Sequence, residues 1–317
     1  MLVMYGGDSQ QGGKGDDAAL LAALAAAAMQ QEQKPKYSKY LEGLLPLILL
    51  LILGGFLAVR MGIIPAHLPG FTKAYDVLIL TDDPEAREIK ELQSVLQTGS
   101  GGYLQITTIP YTTELDPEFP VSADQLGNYD IVILYQIRDK ILTLSQRDEL
   151  SIYLRGGGKL IIVRDSGTCY PASELLSGAT VTQPICTGWG GGIRYDLGEY
   201  IPVRCVSADG GACKTTTIHN VRIRFLGPRS ELTPNPGNPY YPSKDGRISR
   251  VTVLQNVRPA GMGRAVAKFQ VMSGDKVVDT YYAIIAAEGF LGYKVVFLNY
   301  DPYQFPHILY KIIQWMG

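Results

Sequence analysis

Polar side chains follow four short apolar runs of the sequence, at the positions where a sheet-based enzyme would bind its ligand. In an open α/β sheet, ligands bind beyond the carboxyl ends of the strands. Three or four carboxylates beside one arginine could bind a metal or a cationic ligand, or act as general acid and base. The candidate cleft residues are Asp82, Asp83, Gln136, Arg164, Asp165, Ser166 and Asp301.

Several of these side chains also have a purely structural interpretation. Asp83 precedes a proline and a glutamate, so it can cap the helix predicted to begin there. Arg164 and Asp165 can pair with each other or with Asp82. Asp301 also precedes a proline and can open the last helix of the chain. The cleft therefore has both a chemical and a structural interpretation.

Recognised catalytic motifs are missing from the sequence. Ser166-Gly167 lacks the glycine pattern that surrounds the nucleophile of a serine hydrolase. The sequence has no phosphate-binding loop and no His/Cys spacing of a zinc site. We therefore predict no catalytic residue, no metal and no cofactor.

Apolar runs and helical patterns alternate from residue 71 to about 167 and again at the end of the chain. The runs predict buried parallel strands at 77–80, 131–134, 160–163 and 295–298, with an alternating fifth strand at 103–109. Helices are predicted at about 83–97, 145–154 and 303–315. This alternation with short links predicts an α/β fold with a parallel sheet and helices on both faces.

Residues 168 to about 290 break that alternation and predict a β-rich insertion. Alternating stretches at 251–257, 265–272 and 277–287 predict strands, and Gly274-Asp275 predicts a hairpin turn between the last two. The α/β domain is therefore expected to span 71–317, with the insertion placed before its last strand and helix.

An uncharged run at 43–59 predicts a single transmembrane helix within residues 41–64. The run is near the lower length limit, and a snorkelling Arg60 would extend it to about 20 residues, enough for a ~30 Å hydrocarbon core. A buried core helix is the alternative. Residues 1–40 are predicted to form a tail with a short alanine-rich helix.

The orientation in the membrane follows from charges and cysteines. Three lysines in residues 34–39 precede the span and two basic residues follow it, which favours a cytoplasmic N-terminus and an extracytoplasmic C-terminal domain. All four cysteines follow the span, which suits two disulfides in an oxidising space. We predict the pairs Cys205–Cys213, which flank an Asp-Gly-Gly turn, and Cys169–Cys186. Free thiols in a reducing compartment are the alternative.

The composition argues against a generic nucleic-acid-binding protein. The chain has 29 Lys and Arg against 30 Asp and Glu, whereas such proteins normally carry a basic excess. Hydrophobic residues make up 46% of the 317 residues, enough for a large core.

The order of the segments resembles the class I glutamine amidotransferase-like superfamily, in its trehalose-utilisation and gliding-motility-type branch. The resemblance is carried by YDIVILYQ at 129–136, by LSQRDELSIYLRGGGKLIIV at 144–163 and by GYKVVFLNYDPYQFPHILYKIIQW at 292–315. It covers about 74–166 and 283–317, and it implies a flavodoxin-like sheet.

The sequence departs from that superfamily at the catalytic positions. A working amidotransferase places a nucleophilic cysteine in a sharp turn after the strand that corresponds to 160–163, where this chain reads Arg164-Asp165-Ser166-Gly167. The His-x-Glu pair near the last strand is replaced by residues 299–302, Asn-Tyr-Asp-Pro. The resemblance therefore implies the fold without the amidotransferase reaction.

Three functional hypotheses follow. The first is a membrane-anchored, non-catalytic binding or structural subunit of a cell-surface or membrane assembly, whose partners are the lipid bilayer and other proteins but no nucleic acid. The second is a hydrolase that acts on a carbohydrate or another small polar substrate, using Asp82, Arg164 and Asp165. The third is an accessory subunit of a membrane transporter.

Overall fold

A computed structural model describes residues 73–98, 106–116, 121–170, 185–186, 188–189, 197–206, 213–226 and 247–317, together with Leu50. The chain divides between Ala66 and His67 into two units, and all described residues except Leu50 belong to the second. The predicted tail at 1–40 and, apart from Leu50, the predicted membrane helix at 41–64 lie outside the described residues. Within the described ranges, no helix is both long enough and apolar enough to cross a membrane.

Short helices and strands make up most of the described part of the second unit. The strands are β1 (Lys73–Thr81), β2 (Ile106–Glu114), β3 (Ile131–Leu134), β4 (Lys159–Val163), β5 (Cys169–Tyr170), β6 (Ile185–Cys186), β7 (Val203–Cys205), β8 (Thr215–Phe225), β9 (Arg247–Leu254), β10 (Val257–Pro259), β11 (Arg264–Ser273), β12 (Lys276–Glu288) and β13 (Lys294–Leu298). The helices are α1 (Arg87–Thr98), α2 (Ala123–Leu126), α3 (Leu144–Arg155) and α4 (Pro306–Met316).

Nine strands of the described ranges form one mixed sheet, in the order β2-β1-β3-β4-β13-β12-β11-β8-β9. The first five are parallel, and we call them and their helices the parallel half. Numbered along the chain among themselves, these five strands have the order 2-1-3-4-5, which is the flavodoxin-like order. The predicted strand order of the α/β part is thus present.

The predicted insertion adds to that same sheet. Its strands β12, β11, β8 and β9 continue the sheet beyond β13, each antiparallel to its neighbour, and we call them the antiparallel half. The two-residue turn Gly274-Asp275 joins β11 to β12, as predicted, with Gly274 at a φ of 61°. The predicted parallel sheet and the predicted β-rich insertion therefore form one mixed sheet, because β12 of the insertion pairs with the side of β13 that β4 leaves open.

Alternating side chains of the parallel half pack into two cores, one on each face of the sheet. Val77 and Ile79 of β1 pack with apolar residues of α1 and α4. Leu78 and Leu80 pack on the other face with residues of α2 and α3. Because both faces are covered, each strand reads as a continuous apolar run. The predicted helices on both faces are confirmed.

Local capping explains where two of the helices begin. The Thr143 hydroxyl accepts a hydrogen bond from the backbone N–H of Gln146, and the Gln146 side chain accepts one from the Thr143 N–H. This capping box fixes the start of α3 one residue before the predicted position. Ser122 and Gln125 form the same arrangement at α2, which the sequence analysis did not predict.

Both predicted disulfides are present. Cys169 is bonded to Cys186 across the short ribbon of β5 and β6, and Cys205 is bonded to Cys213. No cysteine of the chain is free. The disulfides therefore link segments within the predicted insertion.

Candidate functional site

The turn directly after β4 holds Arg164 in a strained conformation. Its φ is 48°, in the left-handed region that side chains other than glycine rarely adopt. The backbone N–H of Arg164 donates to the carbonyl of Leu298 at 2.7 Å, which fixes this turn to the end of β13.

The guanidinium of Arg164 pairs with Asp301, which follows β13 by three residues. Nη2 of Arg164 lies 3.2 Å from Oδ1 of Asp301. The same Oδ1 accepts a hydrogen bond from the hydroxyl of buried Tyr135 at 2.5 Å. Among the described residues, Nε of Arg164 is buried and has no hydrogen-bond partner, so Asp301 offsets only part of the cost of burying this cation.

Burial and pairing act in opposite directions on the ionisation of this pair. Burial raises the pKa of Asp301, although the positive charge of Arg164 and the Tyr135 hydroxyl both oppose the rise. Burial alone would lower the pKa of Arg164, but the Asp301 carboxylate reverses this and the pKa is raised. The ion-pair contact between the two side chains favours the charged form of both.

Asp301 does not open the last helix in the predicted way. It precedes the 3-10 turn Pro302–Gln304, but its side chain makes no capping hydrogen bond. The carboxylate is directed to Arg164 and Tyr135 instead. The alternative predicted pairing of Arg164 with Asp165 or Asp82 was wrong for the same reason.

Asp165 pairs with Lys140, a residue that the sequence analysis did not single out. Nζ of Lys140 lies 3.6 Å from Oδ1 of Asp165 and also donates to the carbonyl of Gln136. Burial lowers the pKa of Lys140, and the nearby Asp165 carboxylate opposes that shift. In this second pair, too, the two opposite charges offset each other.

The two aspartates after β1 hold the loop after β3. Asp82 accepts three backbone hydrogen bonds, from the N–H groups of residues 137, 138 and 139, at 2.6, 2.8 and 2.7 Å. Asp83 lies 2.6 Å from the guanidinium of Arg138. The prediction that Asp83 caps a helix was wrong, because α1 begins only at Arg87 and Asp83 faces the loop.

Gln136 and Ser166 form a polar link between β3 and the turn after β4. The Ser166 hydroxyl donates to the carbonyl of Val163 at 2.6 Å and accepts from the N–H of Gln136 at 2.9 Å. The Gln136 side chain accepts from the N–H of Gly167 at 2.7 Å. Trp189, from the insertion, donates to the Ser166 carbonyl at 2.8 Å. Ser166 is fully buried, and among the described residues its hydroxyl is hydrogen-bonded only to backbone groups, with no side chain that could act as a base.

Arg147 is a further residue whose role the sequence did not reveal. It lies in the first turn of α3 and is only 2% exposed. Its guanidinium donates to the carbonyls of Leu142, Gly167 and Cys169, and its Cζ lies 5.2 Å from the centre of the Tyr170 ring. Its sequence context, Ser-Gln-Arg-Asp at a helix start, gives no sign that the side chain is buried. Tyr135 was likewise passed over, although it directly follows a buried strand.

The predicted cleft residues therefore form pairs and loop contacts. The structure brings Arg164 together with Asp301, and Gln136 with Ser166, but directs Asp82 and Asp83 to the loop after β3. Within the described ranges, no group of three His, Cys, Asp or Glu side chains could hold a metal ion. This arrangement stabilises the turns beyond the sheet, and its acidic and basic groups largely neutralise each other.

Two clefts lie at the opposite edge of the parallel strands. One, of about 400 Å³, lies beside Asp130, Tyr153 and Lys159, where β3 and β4 begin. The other, of about 660 Å³, lies between the turn at 261–263, Glu288 and Trp315. Neither includes any predicted cleft residue.

No protein-family model matches the chain, and no curated protein sequence matches it. A ThuA-like protein from Bacteroides uniformis is similar over 78% of this chain and 95% of its own, with 12% identity and a TM-score of 0.44. One from Parabacteroides merdae is similar over 77% and 90%, with 12% identity and a TM-score of 0.41. A β-galactosidase from Rahnella sp. R3 is similar over 76% of this chain, at 12% identity and a TM-score of 0.40, and the chain spans 31% of that enzyme's length. At these values the similarities carry no information about activity.

Proposed function

We propose that the protein is a membrane-anchored, non-catalytic binding subunit of a membrane or envelope assembly. In this proposal residues 41–64 cross the bilayer once, the N-terminus is cytoplasmic, and the α/β unit with its two disulfides lies outside the cytoplasm. The partners are the bilayer itself and at least one other protein.

One observation carries the non-catalytic part of this proposal. The strained turn after β4 holds Arg164, whose guanidinium is paired with Asp301. A nucleophile needs a base within hydrogen-bond reach. An arginine cannot be such a nucleophile, and its pairing with Asp301 occupies the acidic group that follows β13.

The same turn supports a proposed ancestry in the class I glutamine amidotransferase-like superfamily. The five parallel strands have the flavodoxin-like order, and their helices cover both faces. The unusual backbone of a nucleophile turn is kept at Arg164 although its side chain has no nucleophilic chemistry. In this proposal, the catalytic function has been replaced by a structural ion pair.

Cysteine labelling tests the location and the anchor together. In intact cells, a membrane-impermeant maleimide should label the full chain only after reductant is added, because all four cysteines are in disulfides outside the cytoplasm. The chain should also stay with the membrane after alkaline carbonate extraction, and deletion of 41–64 should release it. Labelling without reductant, and only in permeabilised cells, would place the α/β unit in the cytoplasm and contradict the proposal.

A hydrolase is the second candidate, favoured by one feature of Asp301. Burial raises the pKa of this carboxyl group, as in many general acids. A screen of the purified full chain with chromogenic glycosides and esters tests it, with Asp301→Asn as the matched variant. Turnover that disappears in Asp301→Asn would favour the hydrolase, whereas no turnover, or turnover equal in both proteins, would favour the binding subunit.

A further inference from the structure

Three neighbouring strands of the antiparallel half carry basic residues and no acidic ones. The segments β8, β9 and β11 contain no Asp or Glu. Their basic residues are Arg222, Arg224, Arg247, Arg250, Arg264 and Lys268. We call the exposed side of these three strands the basic face.

Cations of the basic face stand directly opposite one another on neighbouring strands. In the strand register, Arg224 is opposite Lys268, and Arg222 is opposite Arg247. Like charges in directly opposite positions destabilise a sheet, typically by a few tenths of a kcal/mol per pair. A sheet that keeps these pairs carries an electrostatic cost within its own fold.

No described carboxylate relieves this repulsion. The five ion pairs between described residues all lie in the parallel half. Arg222, Arg224 and Arg250 are exposed. Nζ of Lys268 lies 4.8 Å from the centre of the Tyr282 ring, an interaction that still leaves its charge uncompensated.

Protection of the sheet edge explains only part of the basic face. Edge strands often carry charged residues that discourage pairing with other chains. This reason applies to β9, the last strand in the sheet order of the described residues. It does not apply to Arg222, Arg224 and Lys268, because β8 and β11 both have strand neighbours on each side.

The whole sequence repeats this asymmetry of charge. Residues 168–290 carry 13 Lys and Arg against 9 Asp and Glu, whereas the rest of the chain carries 16 against 21. The chain as a whole is therefore close to neutral, but its insertion carries a net positive charge. An excess of one sign on one face attracts partners of the opposite sign.

We propose that the basic face binds an extended acidic segment of a protein partner, with Asp or Glu at alternate positions. Alternate residues of a β-strand lie about 6.6–6.8 Å apart on one side, and neighbouring strands lie about 4.8 Å apart. Arg222 and Arg224 have that same two-residue spacing along β8. An extended polypeptide therefore matches the cations in register, and it can also add to the edge of β9.

Nucleic acid is a poorer match to the basic face. Proteins that bind single strands place aromatic side chains between their cations, on which the bases stack. The exposed positions of β8 and β9 hold no Phe, Tyr or Trp among the described side chains. The proposal rests on the proposed binding function and names the chemistry of its partner.

Peptide binding to the full chain in detergent micelles tests the proposal. The probe is a fluorescent dodecapeptide of alternating Glu and Thr, measured by anisotropy. The triple variant Arg222→Gln/Arg224→Gln/Lys268→Gln should bind it about tenfold more weakly, since two exposed cations and the half-buried Lys268 lose their charges. The matched control is Arg87→Gln/Lys90→Gln/Arg155→Gln, which removes three exposed cations from α1 and α3 and should leave binding unchanged.

Two comparisons make the experiment decisive. A peptide of the same composition with its glutamates in one block should bind several-fold more weakly than the alternating peptide. Equal affinity for both peptides, equal losses in both variants, or no binding by the parent chain would overturn the proposal. So would a stronger response to phosphatidylglycerol vesicles or polygalacturonate than to the alternating peptide. Carbonate extraction and cysteine labelling are unaffected by these outcomes, so failure here is separable from failure of the proposed function.

Discussion

The two halves of the sheet differ in whether their charged side chains form ion pairs. In the parallel half, cations and anions meet in pairs, and the most buried pair joins the turn after β4 to the segment after β13. In the antiparallel half, cations face one another across β8, β9 and β11 with no described acid between them. Both halves belong to one sheet, so the difference does not come from separate folding units.

This difference indicates which half of the sheet is more suited to binding a partner. The carboxyl ends of parallel strands normally bind ligands, but here they are occupied by the chain's own side chains. The strands that were added beyond β13 leave their charges available to a partner. The contrast predicts that substitutions in the parallel half lose stability, whereas matched substitutions in the antiparallel half change binding and hardly affect stability.

Removal of Asp301 should give the largest effect. In Asp301→Ala, the guanidinium of Arg164, whose side chain is 17% exposed, and the hydroxyl of buried Tyr135 lose their shared acceptor. Loss of one partner of a buried pair costs about 3–5 kcal/mol. The counterpart Arg222→Ala should cost less than about 0.5 kcal/mol, because this arginine is exposed. Urea unfolding, followed by the fluorescence of Trp189 and Trp315, measures both, and equal losses would remove the contrast.

Replacement of Arg147 should have the next largest effect. Arg147→Met keeps most of the side-chain volume but leaves the carbonyls of Leu142, Gly167 and Cys169 without their donor. Buried acceptors that lose a charged donor cost about 3 kcal/mol together. Arg155→Met, at the exposed end of the same helix, is the control and should cost less than about 0.5 kcal/mol. A small loss in Arg147→Met would show that water replaces the guanidinium.

Acid should destabilise the parallel half through His307 of α4. Burial lowers the pKa of His307 from 6.5 to about 4. As the pH falls, the unfolded state therefore takes up this proton at a higher pH than the folded state does. This contribution to stability is therefore present above pH 6.5 and is lost as the pH falls toward 4. We expect a loss of about 2 kcal/mol, after allowance for the partial exposure of the ring.

The pH dependence is measured by urea unfolding at pH 7 and pH 4.5. The loss of stability between the two values should be smaller in His307→Asn than in the parent chain. An unchanged loss in His307→Asn would assign the acid sensitivity to other groups.

The smallest effect should have the opposite sign. Arg224→Glu places a carboxylate opposite Lys268 and replaces a repulsive pair by an attractive one. We expect the variant to be more stable by about 0.5 kcal/mol. Arg224→Gln should gain about half as much, and both variants should gain less at high salt. A loss of stability in Arg224→Glu would show that the basic face is already neutralised.

The sequence predicted the elements that depend on local pattern. Continuous apolar runs identified β1, β3, β4 and β13, because each is covered on both faces. The hairpin turn at Gly274-Asp275 and both disulfides were also predicted correctly. In each case the deciding residues are close together in sequence or follow a simple period.

Contacts between distant residues could not be predicted in the same way. Arg164 and Asp301 were both candidates, but their pairing depends on β13 lying beside β4. Asp83 preceded a good helix signal, but in the structure its carboxylate forms an ion pair with Arg138, in the loop after β3. The cross-strand cations became visible only when the register of β8, β9 and β11 was known.

The position of β13 has a consequence for how the chain folds during synthesis. This strand lies between β4 and β12, so one side of β4 stays unpaired until residues 294–298 leave the ribosome. Pairing over such a long sequence separation is intrinsically slow. The exposed flank of β4 is meanwhile open to pairing with other chains. We expect a premature stop before residue 294 to yield aggregates, since the sheet then lacks the strand that joins its two parts.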